Sequence, residues 1–452
     1  MAILAAGQGM RMRSRLPKVL HPVAGLPMVR HVVEIARSLE PATIALVVGH
    51  AADQVVAAAG DGLTIVRQAE QLGTGHAVLQ ARDALRGACD QVLTLYADGV
   101  LVRPDTLRRM VEAARRAAVV LLTAAVEDPS GYGRVVRDPN GQVIEFVEHP
   151  EGNPQHEAIR EMWAGPAAFQ AEWLWEQIGQ LPRRPNGEFF LPDLVGIAVR
   201  QGLGVETVQP ADVDEVWGIN TQAQLAEVNR LLMDRLRAQL MGAGVRMLDP
   251  SSVFVDSTVQ VEPDVVLHPN THLQGSTRIA SGTEVGPISI VRDSTIGRDC
   301  RVVASVLEEA WVGNEVTIGP FAHLRPGARI EDRVELGNYA EVKASRVGAG
   351  SKVHHFSYIG DAVIGQDANI GAGTITCNYD GTTKHLTVVG DGAFIGSDTM
   401  LVAPVTVGEG ASTGAGSVVT RDVKPGQLVV GVPARPVPGR GQSEPPAPDR
   451  EP

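Results

Sequence analysis

VLEEAWVGNEVTIGPFAHLRPGARIEDRVELGNYAEV, residues 306–342, decides the fold of the second half of the chain. Val306, Val312, Ile318, Leu324, Ile330, Leu336 and Val342 stand six residues apart. A helix repeats near 3.6 and a strand at 2, so neither accounts for this spacing. A parallel β-helix does: each hexapeptide is one short strand and a corner, with its aliphatic side chain pointing inward. The series runs upstream through Val255, Val261, Leu267, Leu273, Ile279 and Val285, then Ile290, Ile296 and Val302. Downstream it continues at Val347, Val353, Ile359, Ile364 and Ile370, and after a gap at Val389, Ile395, Leu401 and Val407. Three faces per coil predict on the order of ten coils, stacked about 4.8 Å apart. An antiparallel sandwich would show period two with irregular spacing. The register is lost across residues 372–388, which predicts a loop on one face of the solenoid.

Composition agrees with a coiled backbone. Glycine accounts for 49 of 452 residues and aromatic residues for 4%. Much of the core must therefore be small and branched aliphatics, and corners with positive φ favour glycine. The net charge of −12 argues against nonspecific nucleic-acid binding, which needs surplus Lys and Arg. Cys89, Cys300 and Cys377 form no CxxC pair, so neither a disulfide framework nor a cysteine metal site is expected. No apolar run approaches the roughly 18 residues of a membrane span, and Met1–Gly7 lacks a signal-peptide pattern. These readings predict a cytoplasmic protein without membrane insertion.

Residues 1–220 alternate strand-like and helix-like segments. Ala42–Gly49 and Gln91–Tyr96 read as strands, and Pro27–Leu39 and Pro104–Ala117 as helices. The alternation predicts an α/β Rossmann-like domain around a mostly parallel sheet. Residues 221–246 read as a connecting helix, with Leu225, Val228, Leu232 and Leu236 along it. The β-helix then occupies 247–435. Residues 436–452 are rich in Pro, Gly and charge and are expected to be disordered.

The chain opens LAAGQGMRMRSRLPK over residues 4–18. Gly7 and Gly9 stand where a strand turns into a loop, but position 12 is Met, so there is no complete GxGxxG fingerprint and no P-loop. Arg11, Arg13, Arg15 and Lys18 follow within eight residues. This is either a phosphate cradle of backbone N–H groups and cations, or a solvated basic loop. Asp98 follows the strand Gln91–Tyr96, where a carboxylate serves as a ligand group or as a helix cap. Elsewhere His354 and His355 adjoin each other, with no third metal ligand at matching spacing.

The pattern LAAGxGxRMxSxLPKVLHxVAGxPM resembles the nucleotide-sugar pyrophosphorylase motif. QAEQLGTGHA (Gln68–Ala77), GYGR (Gly131–Arg134), FVEH (Phe146–His149) and GIN (Gly218–Asn220) follow in the order of one family. That family is the bifunctional bacterial N-acetylglucosamine-1-phosphate uridyltransferase and glucosamine-1-phosphate acetyltransferase. The β-helix half resembles it at PFAHLRPGA (Pro320–Ala328), GNYAEVKAS (Gly337–Ser345), SKVHHFSYIGDA (Ser351–Ala362) and NIGAGTITCNYDG (Asn369–Gly381).

The resemblance implies a left-handed β-helix and a homotrimer. It also implies two reactions: acetyl transfer from acetyl-CoA to glucosamine-1-phosphate, then uridyl transfer from UTP with release of pyrophosphate. Their product, UDP-N-acetylglucosamine, would feed peptidoglycan and cell-wall synthesis. By position, Leu4, Ala5, Ala6, Gly7, Lys18, Gln68, Gly73, Thr74, Tyr96, Ala97, Asp98, Gly133, Glu148 and Asn220 would bind the nucleotide and sugar phosphate. Asp98 and Asn220 would hold Mg²⁺, with Arg11 and Lys18 neutralising charge in catalysis. His355 would be the general base of acetyl transfer. Arg325, Lys343, Tyr358, Asn369 and Lys384 would bind glucosamine-1-phosphate. Ala372, Asn378, Tyr379, Ser397 and Ala415 would contact acetyl-CoA, with an oxyanion donor at a corner such as Gly371–Gly373.

The chemistry suits these types. A phosphate nucleophile needs positioning and charge neutralisation more than a protein nucleophile. A sugar amine needs a base near neutrality, which histidine supplies.

The chain departs from the family pattern at Met10, at Ala97 and Val100 in YADGVL, at Trp163, and at Glu188–Phe190. Trp163 places an indole where an amide oxygen is expected, and an indole nitrogen only donates. The family's late Arg falls on Val432, with Arg435 nearby. A single-activity nucleotidyltransferase, with the β-helix used only for oligomerisation, is the alternative reading.

Overall fold

The computed structural model describes residues 1–148 and 154–437. His149 of the FVEH stretch and residues 438–452 of the C-terminal segment lie outside the described residues. The chain divides into two compact units, Met1–Leu232 and Met233 onward, and the division falls inside the helix Gln222–Gly242.

In the first unit, seven strands form the main sheet in the order Val205–Val208, Val119–Ala125, Glu161–Gln170, Gln91–Tyr96, Ala2–Ala5, Ala45–Val48, Thr64–Arg67. Glu161–Gln170 runs antiparallel to both neighbours, and the other pairs are parallel. Successive side chains of a strand face opposite sides, and both sides are covered here. Ile3, Ala5, Leu46, Val48, Leu93 and Leu95 share one core with Met28, Val32 and Leu107 of two helices. Ala2, Leu4, Ala45, Val47 and Val92 share the other with Val78, Leu174 and Leu194. The strand at 91–96 and the helices beginning near 28 and 104 stand where the sequence pattern puts them. Among the described residues no helix is long and apolar enough to cross a membrane.

In the second unit the strands form three sheets, parallel except for the last pair, Leu428–Val430 with Arg435–Pro436, and through most of the stack each strand pairs with the third one after it. This is the left-handed parallel β-helix of hexapeptide repeats. The first face stacks Leu267, Val285, Val302, Ile318, Leu336, Val353, Ile370, Ile395, Thr413 and Val429 inward. The second stacks Leu273, Val291, Leu307, Leu324, Val342, Ile359, Thr376, Leu401 and Val419. The third stacks Ile279, Ile296, Val312, Ile330, Val347, Ile364, Val389 and Val407.

The structure corrects the six-residue series at two positions. Ile290 is 38% exposed while Val291 is fully buried, and Val306 yields the interior to Leu307. The segments from Val291 to Ile296 and from Leu307 to Val312 are one residue short of a hexapeptide. A one-residue shift in a strand reverses which side chains point inward. The interruption is also shorter than 372–388. Thr376 is fully buried on its rung, and only residues 378–386 leave the coil.

Many corners with positive φ are not glycine, among them Phe321, Tyr339 and Phe356. Several glycines serve close stacking instead: a Cβ on Gly348 would run into the Gly365 carbonyl of the next coil. Buried hydroxyls join coils as well. Ser345 Oγ donates to Lys343 O at 2.8 Å and accepts the Ala362 N–H at 2.9 Å.

The register makes a quantitative expectation. Leu307→Ala should lower unfolding stability by about 2–5 kcal/mol, and Val306→Ala by less than about 1 kcal/mol. Chemical denaturation of the two variants checks this, and equal losses would contradict the shifted rung.

Candidate active sites

The first unit carries a cleft of about 560 Å³ at the carboxyl ends of the neighbouring parallel strands Ala2–Ala5 and Gln91–Tyr96. Open α/β sheets bind ligands at this edge, because the loops leaving the strands diverge there. Leu4, Ala5, Ala6, Gly7, Arg11, Lys18, Gln68, Gly73, Thr74, Tyr96, Ala97, Asp98, Gly133, Glu148 and Asn220 all line it. Every residue singled out for nucleotide and sugar phosphate in this half is thus brought to one cleft. Arg13 and Arg15 are exposed and line no part of it, so the basic run divides into two cleft cations and two solvated ones.

Lys18 is the centre of the cleft's charge. Its ammonium is hydrogen-bonded to Asp98 Oδ2 and, at 2.7 Å, to Asn220 Oδ1. Arg11 Nη2 donates to the same Asn220 oxygen at 2.9 Å. A carboxylate oxygen and an amide oxygen therefore converge on one cationic centre. Gln68 is buried, donates to Gly73 O at 3.2 Å and meets His76 Nδ1 at 3.0 Å. Thr74 Oγ1 accepts the Leu191 N–H at 3.0 Å. Burial pushes the Tyr96 hydroxyl far above the ordinary tyrosine range, assisted by the Asp98 and Glu148 charges, so it stays neutral.

Trp163 is nearly buried in the wall between Tyr96 and Phe146, edge-on to both at centroid distances of 5.9 and 5.6 Å. Its only polar group, Nε1–H, donates to Pro166 O at 3.0 Å, so it shows carbon to the cleft. Met10 is 83% exposed and Val100 is buried, and neither lines the cleft. Gln71, Tyr132 and Pro192 line it without having been singled out, although Gln71 and Tyr132 lie inside the QAEQLGTGHA and GYGR stretches.

In the second unit the candidate residues fall into columns, because each holds a fixed place after an inward rung. Asn338, His355, Ala372, Ser397 and Ala415 each stand two residues past Leu336, Val353, Ile370, Ile395 and Thr413 of the first face. The column is continuous: the carbonyls of Asn338, His355, Ala372 and Ser397 accept from Phe356, Gly373, Asp398 and Gly416. His355 is exposed, and its Nδ1 lies 2.7 Å from Asn338 Oδ1. An amide oxygen only accepts, so in the neutral ring Nδ1 carries the proton and Nε2 the lone pair. His354 turns instead to Glu335 Oε2 at 3.0 Å, so the two imidazoles have separate partners.

Arg325 and Lys343 each follow an inward rung of the second face by one residue, in successive coils. Arg325 Nη1 donates to Glu341 Oε1 at 2.8 Å, and Lys343 Nζ lies 3.4 Å from Asp361 Oδ2. Asn378 Nδ2 donates to the same Asp361 oxygen and lies 3.5 Å from the Tyr358 hydroxyl. Lys384 comes back from the 378–386 loop to meet Lys343. Its pKa is pulled below the ordinary lysine range, because as a neutral amine it can accept a hydrogen bond from the Lys343 ammonium and because that ammonium's charge opposes its own. Tyr358 thus lies across the second face, between His355 at one border and the cations at the other. Asn369 stands on the first face, beside Lys352 of the coil before it. The Gly371 and Gly373 N–H groups are already used, donating to Ile395 O at 2.8 Å and His355 O at 3.1 Å. The expected oxyanion donor is therefore neither of these glycines, which leaves Ala372 as the remaining amide of that corner. Val432 is 73% exposed, and Arg435 lies in a short strand pairing antiparallel with Leu428–Val430.

Comparison with known proteins agrees with the division into two kinds of domain. The MobA-like NTP transferase domain family matches residues 1–181, and the bacterial transferase hexapeptide (six repeats) matches 309–344 and 386–421. The bifunctional protein GlmU of Trichlorobacter lovleyi is 46% identical over 434 residues, 95% of this chain and 94% of its own. That of Azotobacter vinelandii is 48% identical over 436 residues, 95% of each chain. The chain belongs to the GlmU family. It is accordingly a bifunctional enzyme of UDP-N-acetylglucosamine synthesis, joining acetyl transfer and uridyl transfer in one polypeptide. Within this GlmU framework the departures at Ala97, Trp163, Glu188 and Phe190 line the cleft, whereas Met10 faces solvent.

The lowered pKa of Lys384 has a direct readout. At about pH 9, below the ordinary lysine value of about 10.4, Lys384 holds more neutral amine than an unperturbed lysine. An amine-acylating reagent should therefore modify it ahead of exposed Lys424, by peptide mass spectrometry, and Lys343→Met should remove the advantage.

Proposed function

We propose that the β-helix performs the acetyl transfer across its second face and that the cleft of the first unit performs the uridyl transfer. The observation carrying this reading is the His355–Asn338 hydrogen bond, which leaves an exposed Nε2 lone pair beside a face bordered by three cations. In this reading Arg325, Lys343 and Lys384 hold the 1-phosphate of glucosamine-1-phosphate, with Tyr358 and Asn369 along the sugar. Charge-assisted hydrogen bonds from several cations suit a phosphate dianion. The amine then lies toward His355, whose Nε2 takes its proton as nitrogen attacks the thioester carbon of acetyl-CoA. The tetrahedral adduct collapses with cleavage of the C–S bond, and the departing thiolate takes that proton from the imidazolium. The column Ala372, Ser397 and Ala415, with Asn378 and Tyr379, offers acetyl-CoA a continuous edge leading to the base.

In the cleft, an oxygen of N-acetylglucosamine-1-phosphate attacks the α-phosphorus of UTP and pyrophosphate leaves. Gly7 and the start of its loop approach the phosphates, Gln68, Gly73 and Thr74 border the base, and Arg11 and Lys18 offset charge. Asp98 and Asn220 are the residues that would hold Mg²⁺: two hard oxygens aimed at one point where a cation already sits fit that ion. When bound, Mg²⁺ supplies further neutralisation of phosphate charge.

A homotrimer is part of the proposal. Phe321, Tyr339 and Phe356 stack on successive coils at 5.3 and 5.5 Å, are more than half exposed, and stand beside His355. Such a ridge favours cover by another copy, and hexapeptide domains associate through their outer faces. We place the enzyme in the cytoplasm, where its substrates are made.

Replacing His355 by Ala should cut acetyl transfer by about 10²–10⁴-fold and leave uridyl transfer intact. Parallel loss of both activities would show damage to the fold and sink the assignment. Removing Mg²⁺ with a chelator should stop uridyl transfer alone, and uridyl transfer persisting without metal would remove the roles given to Asp98 and Asn220.

A further inference from the structure

The loop at 378–386 carries Lys384 to a place that its charge disfavours. The Lys343 charge opposes a charge on Lys384, Arg325 adds to that repulsion, and Asp361 offsets it only in part. A loose excursion from the coil would swing Lys384 away.

The loop is not loose, and one carboxylate accounts for this. Asp380 Oδ1 accepts the Thr382 and Thr383 N–H groups at 2.8 Å and the Thr382 hydroxyl at 2.9 Å. Its Oδ2 accepts the Thr383 hydroxyl at 3.1 Å and meets His385 Nε2 at 2.6 Å. These bonds hold Asp380 ionised, well below the usual carboxylate range. The residues before and after Lys384 are thus both fastened to Asp380. The backbone closes the same turn, with a bridge between Tyr379 and Lys384 and the His385 N–H on Asn378 O at 2.7 Å.

We infer that Asp380 and His385 are positioning residues that hold Lys384 against Lys343 and so preorganise the anion site for the sugar 1-phosphate. The inference rests on the cation cradle proposed above. Neither residue is assigned a contact with substrate; each acts through the fixed backbone on either side of Lys384. Preorganisation raises affinity because the ordering of the loop is complete before the ligand arrives.

The test uses the full-length enzyme, with acetyl transfer followed by thiol release and uridyl transfer from N-acetylglucosamine-1-phosphate as a check of folding. Asp380→Asn and His385→Phe should each raise the KM for glucosamine-1-phosphate about five- to tenfold, with kcat within about twofold and uridyl transfer unchanged. In a Lys384→Ala background, Asp380→Asn should add nothing further. If Lys384→Ala itself leaves that KM unchanged, the cradle reading fails and this inference with it. If Lys384→Ala raises the KM while Asp380→Asn and His385→Phe do not, the cradle stands and the positioning role is overturned. Additive effects of Asp380→Asn and Lys384→Ala would also overturn it. Should Asp380→Asn fail to fold, His385→Phe, altering a partly exposed side chain, carries the same test.

Discussion

The second unit depends on one constraint: neighbouring coils lie a strand spacing apart, so each rung admits one inward side chain directly above its equivalent. Backbone hydrogen bonds between coils hold that spacing, and the aliphatic stack excludes water from them. The same constraint distributes chemistry. A residue two places past an inward rung recurs at the same edge in every coil, so Asn338 is set against His355 and Ala372, Ser397 and Ala415 continue the line. A residue one place past the rung on the next face recurs likewise, which brings Arg325 beside Lys343. The sites are columns because the fold is a column.

This explains how much of the fold was legible in the sequence. Aliphatic rungs six apart identify the β-helix without any structure. The spacing fails where a segment loses one residue, because counting by six from Ile296 lands on Ile290 while the coil turns Val291 inward. It also fails where a rung is filled by a hydroxyl, as at Thr376 and Thr413, because an aliphatic pattern does not register threonine. Corner conformation was only half legible. Positive φ is required there, yet it is met by Phe321, Tyr339 and Phe356 as well as by glycine, while glycines such as Gly348 answer to the closeness of the next coil.

The candidate sites were legible as sets of residues more than as arrangements. Every candidate residue taken from the motifs of the first unit reaches one cleft, since the motifs sit on loops leaving the same edge of the sheet. Sequence adjacency gave no means of dividing the basic run, and Arg13 and Arg15 turn to solvent while Arg11 and Lys18 turn in. The partners that set the state of a group were not legible. Asn338 precedes His355 by a whole coil, and Asp98 and Asn220 meet at Lys18 across most of the first unit. The oxyanion expectation at the Gly371–Gly373 corner narrows for a related reason: the Gly371 and Gly373 amides are already committed to neighbouring coils, which leaves that of Ala372.

In the reading proposed above, both sites keep cations in place before any phosphate arrives, and they do so differently. In the cleft, Lys18 is neutralised by Asp98 and supported by Asn220, so a phosphate entering there competes with groups already satisfied. On the β-helix, Arg325 leans on Glu341 and Lys343 on Asp361, but Lys384 faces a like charge. In that reading a dianion bridging Lys343 and Lys384 relieves a repulsion, whereas in the cleft a phosphate displaces an attraction. In that reading the strength of the anion site is a property of the turn around Asp380 as much as of the cations themselves.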